Sequence, residues 1–148
     1  MQANDSLEGA ARRRSEMETA MRQVEHMAAA PSANRSWIDE LTRAVRQLEI
    51  ALNNHIVEVE TPSGLLDQIV DTAPRLQRRA DETRAHHTEM VADITSLLES
   101  LAGSVEQDPP PIDTIRTATL ELLGEIARHR QQGADMIFEA YDVDIGGY

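Results

Sequence analysis

Three of the five histidines in this 148-residue chain, His55, His87 and His129, fall where a packed helix would bury them. Each sits on an apolar stripe: His55 between Leu52 and Val59, His87 between Thr83 and Met90, His129 between Ile126 and Gly133. Imidazoles converging inside a helical scaffold suit Fe, Zn, Mn or Cu. The chain has no cysteine, so thiolate zinc sites, iron–sulfur clusters and disulfides are excluded, and any metal must be held by His, Asp or Glu. Two carboxylates are placed to complete such a shell: Glu58, three residues after His55, and Glu125, four before His129 on the same helix face. The same rings could also form a metal-free polar cluster. Thr83, Glu58, Glu125 or a first-helix arginine would then satisfy them, as buried polar groups require.

The elements that carry these residues are marked by punctuation. A first helix is expected over residues 6–29, ending before Pro31. A second is expected over 37–60, with Ser36 and Asp39 spaced like a capping box, and "TPSG" breaks it. Residues 65–72 read as a short helical excursion. Pro74 suits the first turn of a third helix that runs to residue 101. "GSVEQDPPP" is a linker, and a fourth helix follows over 112–140. Apolar positions alternate three and four apart, as a bundle seam requires. The predicted architecture is all-α: one domain over residues 1–148, an up-down four-helix bundle with an excursion between its second and third long helices.

Up-down topology makes a further prediction. The start of the second helix, the end of the third and the start of the fourth share one end of the bundle. At about 1.5 Å per residue, His55, His87 and His129 then lie roughly 27, 21 and 26 Å from it, one level of the core within the error of the helix ends.

The segments "HIVEVE", "RAHHTEM" and "RHRQQGADMIFEAY" together resemble the hemerythrin-like (HHE cation-binding) family, in histidine order and segment spacing over roughly residues 15–140. "EAYDVDIGG" resembles a closing segment of bacterial members or relatives. The resemblance implies a four-helix bundle and, in many members, a non-haem di-iron centre that handles dioxygen, nitric oxide or iron. The ligand pattern is degenerate. The family has Glu four after the first His, where this chain has Val59 between Glu58 and Glu60. It has a second His four after the third-helix His, where this chain has Val91 and, adjacent to His87, His86. It has Asp five after the last His, where this chain has Ala134, with Asp135 one step late. That offset rotates a side chain by about 100°, so Asp135 would face away unless a π-bulge near Gly133 re-registers the turn. The level of the first-helix His is occupied by Arg12, Arg13 and Arg14, which could pair with Glu58 or Glu125. Bridging carboxylates are scarce, which favours one ion (Fe or Zn) held by His55, His87, His129 and a Glu over a di-iron centre; His86, Asp135 and Glu139 are secondary candidates. No metal at all is the competing expectation.

Composition bounds the partners. Aromatic residues are only 3%, and Ala, Leu, Ile and Met carry the apolar content, a bias toward helices. Acidic residues outnumber basic ones by 26 to 14, for a net charge of −12, a surface that repels nucleic acid and anionic lipid. No apolar run is long enough to span a membrane and the N-terminus has no h-region, so a cytoplasmic protein is expected. His26 is expected in solvent, and the Met17, Met21, Val24 and Met27 stripe in the core or a partner groove. In "YDVDIGGY", Tyr141, Val143 and Ile145 alternate with acids, as an extended strip would when packing on the bundle, a second copy or a protein partner; a frayed terminus is the competing expectation. No nucleophile elbow or phosphate loop is present, so an enzyme is the least favoured reading. Two remain: a bundle protein that binds or senses through its histidine cluster, and a metal-free adaptor that keeps the fold and acts through its acidic surface and tail.

Overall fold

The computed structural model describes residues 2–31 and 34–142. Every regular element among them is helical: α1 (Gln2–Ala29), α2 (Arg35–Glu60), α3 (Leu65–Thr72), a 3₁₀ turn (Pro74–Leu76), α4 (Gln77–Ser104) and α5 (Ile112–Tyr141). α2 begins two residues earlier than its sequence pattern suggests, because Asn34 caps it. The Asn34 side chain accepts the Trp37 backbone N–H at 3.0 Å, and Ser36 and Asp39 fall inside the helix instead of forming the expected box. α4 likewise runs on through Gly103 to Ser104, whose hydroxyl donates to the Leu101 carbonyl at 2.8 Å. Pro74 opens a 3₁₀ turn that leads into α4 rather than α4 itself. Tyr141 is the last helical residue of α5, and left-handed Asp142 (φ 55°) closes it. The rest of the expected tail strip, Val143 and Ile145 included, lies outside the described residues.

Each long helix packs along two of the others: α1 with α2 and α5, and α4 with α2 and α5. Contacts at the helix ends fix which termini meet. The Trp37 indole at the start of α2 donates to the Met27 carbonyl near the end of α1, at 2.6 Å. Arg116 in the first turns of α5 caps the same α1 end through the Ala28 carbonyl at 3.0 Å and the Ala30 carbonyl at 2.5 Å. It also lies 5.2 Å from the Trp37 ring. Arg35 donates to the Val105 carbonyl just beyond α4. At the other end, Arg75 and Arg79, near the start of α4, reach the Glu139 carbonyl and carboxylate of α5.

The apolar core is in two parts. The larger cluster holds Met17 and Val24 of α1, Trp37 to Leu52 of α2, Met90 to Leu101 of α4 and Ile115 to Ile126 of α5. The smaller holds Ala10, Val59, Leu76, Ala80, Ala134, Met136 and Ile137, closed by Leu65, Leu66 and Ile69 of α3. On every long helix the gap between the clusters is filled by polar residues: Arg13 and Arg14 on α1, His55 on α2, Thr83 and His87 on α4, His129 on α5. No helix among the described residues is long and apolar enough to cross a membrane.

A candidate metal centre in the polar layer

His55, His87 and His129 are buried, with 0%, 1% and 3% of their surface exposed. Their ring centroids are 4.6 to 5.7 Å apart and meet edge to face. One nitrogen from each lies within 4.8 Å of the others, so the three could hold a metal ion. The alignment follows from the seams: α2 and α5 start at the end where α4 finishes, so stripes interrupted at equal depth put their interruptions in one plane.

The ring chemistry is set by burial. His87 Nδ1 lies 2.6 Å from Glu60 Oε2, and His87 Nε2 lies 3.0 Å from His129 Nε2. Burial, then the charges of His86 and Arg84, hold His87 down to about 4. Burial, then His87 and His86, hold His129 down to about 3. Burial, the two neighbouring rings and Arg130 push His55 well below its ordinary value. At neutral pH all three rings are therefore neutral. The Glu60 contact is a hydrogen bond, with His87 Nδ1–H donating to the carboxylate, and not an ion pair. With Nδ1–H turned to Glu60, His87 Nε2 is left as an acceptor, for which His129 Nε2–H is the matching donor. Glu60 is itself raised by burial, against the opposing pull of Arg84.

The donor set fits a small divalent ion. Zinc bonds imidazole nitrogen at about 2.0–2.1 Å, so two tetrahedral ligands stand about 3.3 Å apart. The 3.0 Å separation of His87 and His129 Nε2 is already close to that. A ring nitrogen of His55 lies within 4.8 Å of one on each of them. A carboxylate on the far nitrogen of a ligating imidazole is the usual outer support of such a site, and Glu60 stands in that place.

The carboxylates singled out by sequence are placed elsewhere. Glu58 lies against α1, 3.6 Å from Arg12 and 3.9 Å from Arg13. Gly9 makes room for it, because a Cβ there would collide with the Glu58 carboxyl. Glu125 stands at the α4–α5 surface beside Asp93, where burial, a hydrogen bond with Asp93 and the charges of Asp93 and Glu89 push it up to about 7. It shares with His86, Glu89, Arg128, Gln132 and one edge of His129 a cavity of about 200 Å³. Half-buried His86 has its ring centroid 6.2 Å from that of His129. α5 runs through Gly133 as an unbroken α-helix, so Asp135 faces solvent, accepting from Gln131 at 2.9 Å. Glu139 pairs with Arg79 at 2.6 Å. Glu60, the carboxylate that does touch the layer, escapes seam counting. It lies five residues from His55, a rotation of about 140°, and reaches His87 from the α2 face turned to α4. Its adjacency to Val59 at the end of α2 was the only signal available.

No family model, curated protein or solved structure matches the chain.

Proposed function

We propose that this chain is a hemerythrin-like protein, an up-down four-helix bundle that binds one divalent metal ion, iron or zinc, through His55, His87 and His129. The observation that carries the reading is the convergence of three neutral, buried imidazoles with a carboxylate already anchoring one of them. Three protein ligands leave an exchangeable position, which a bound metal would use as a Lewis acid toward a small ligand. The pairing of Glu58 and Glu139 with arginines and the outward placement of Asp135 support one ion over two, since no carboxylate among the described residues is set to bridge a pair. The cavity against His129, lined by Glu125 and His86, supports access from the α4–α5 side.

A second reading is favoured by a different contact. The Glu60–His87–His129 chain is a connected set of hydrogen bonds needing no cation, as a metal-free adaptor would keep it. Elemental analysis of the purified full chain separates the two. The metal reading expects about one equivalent of iron or zinc, retained through desalting and raising Tm when restored to the stripped protein. Glu60→Gln should weaken retention by about 10–100-fold while leaving the fold intact. His87→Leu should abolish it. A metal-free preparation whose Tm ignores added Fe²⁺ and Zn²⁺, and is unharmed or raised by His87→Leu, supports the adaptor and overturns the metal site.

A further inference from the structure

On α1 the polar layer is made of arginine, and two of these arginines, with Arg130 of α5, hold hydrogen-bond donors that nothing among the described residues accepts. Arg13 Nε, Arg14 Nη1 and Arg130 Nε are each buried at the atom and without a hydrogen-bond partner. The rest of each guanidinium is only partly used. Arg13 Nη1 donates to Glu16 at 3.0 and 3.1 Å, while its Nε stays 3.9 Å from Glu58. Arg130 contacts the Met21 sulfur at 3.8 Å and has Glu18 at 3.9 Å, a carboxylate that Arg22 already engages at 2.5 Å. Arg14 and Arg22 both press positive charge on Arg130, whose side chain is only 17% exposed. Around Arg130 at the α1–α5 contact, three guanidiniums (Arg14, Arg22 and Arg130) meet one carboxylate, Glu18. The excess is positive in a chain whose net charge is −12.

Like charges held together, half out of water and with idle N–H groups, are costly unless something anionic joins them. Guanidinium donors in a fixed fork match the oxygens of a carboxylate or phosphate. We propose that the α1–α5 face carries a binding site for a small oxyanion, held by Arg14 and Arg130. It lies beside the histidine layer, since Arg130 follows His129, but its donors are separate from the imidazole nitrogens. It therefore binds its anion whether or not the histidines hold a metal.

The test uses the full chain in chelator, stripped of metal, at constant ionic strength held with NaCl. Sodium phosphate, sulfate and acetate are titrated separately by calorimetry and by thermal shift. Saturable binding of at least one of them, with a matching rise in Tm, is expected; the ranking of tetrahedral anions against acetate tells a phosphate-like ligand from a carboxylate. Arg130→Gln and Arg14→Gln should each weaken it about tenfold or more, and Arg14→Lys should keep the charge but still lose affinity. Arg22→Gln, on a side chain 72% exposed, should change it far less. If Arg130→Gln fails to fold by circular dichroism, the half-buried Arg14 variants carry the comparison. The absence of saturable binding for all three anions, or equal binding in the Arg14 variants, overturns the site. A failed metal analysis leaves this outcome untouched.

Discussion

A neutral imidazole in an apolar layer is a stored response to acid. In the unfolded chain each histidine takes up a proton below about pH 6.5. In the folded core, burial delays that to about 4 at His87 and about 3 at His129, and depresses His55 as well. Between those limits these rings bind more protons in the unfolded state, so their contribution is complete above about pH 6.5 and is lost as pH falls, offset in part by Glu125, which is pushed up to about 7 and takes its proton first in the folded state. Each such ring contributes a slope of about 1.4 kcal/mol per pH unit in that window. Urea unfolding between pH 7.5 and 4.5 should show a steep fall, and His129→Leu should flatten it. A curve that stays level across the window would mean that the rings take up protons in the folded protein over the same pH range as in the unfolded chain. Much of this was legible in the sequence: the three positions, their burial and their shared depth all follow from spacing. The carboxylate was not. Counting along a stripe finds residues that face the core centre, whereas Glu60 serves His87 from the flank between two helices.

At the scale of the element, helix starts are decided by caps that periodicity does not see. The apolar pattern of α2 begins at Trp37, but the backbone turns helical at Arg35 because the Asn34 side chain satisfies the Trp37 amide. Asn34→Ala should therefore cost about 1 kcal/mol in urea unfolding, while Ser36→Ala, on an exposed residue, should cost little. Equal losses at both positions would restore the box read from sequence. The ends of α1 and α2 and the start of α5 were readable, because Pro31, "TPSG" and "DPPP" break a helix, whereas both ends of α4 shifted by about a turn. Asp135 shows the same legibility in reverse. Its offset of one residue predicted an outward direction, and an uninterrupted α5 gives it one.

Over the whole molecule the dominant long-range quantity is charge. A net −12 on a chain of 148 residues makes the folded state repel itself. Raising NaCl from about 0.01 M to about 0.1 M shortens the screening length from about 30 Å to about 10 Å. Tm should rise with it, by roughly 2–4 °C for each kcal/mol of repulsion removed. A Tm that falls instead would show that the guanidinium–carboxylate pairs on α1, α2 and α5 outweigh the global repulsion. The sequence carried the sign of this balance but not its map, since the positive patch around Arg14 and Arg130 exists only once α1 and α5 lie side by side.

The band of polar side chains between the two apolar clusters also acts as an alignment mark. Four rods lined evenly with leucine and alanine could slide past one another with little penalty, each slip trading hydrocarbon for hydrocarbon. Here a displacement of one helical turn, about 5.4 Å, would drive an imidazole into an oily stretch and strip it of the ring or carboxylate it now meets. The chain therefore has one height at which all four rods agree.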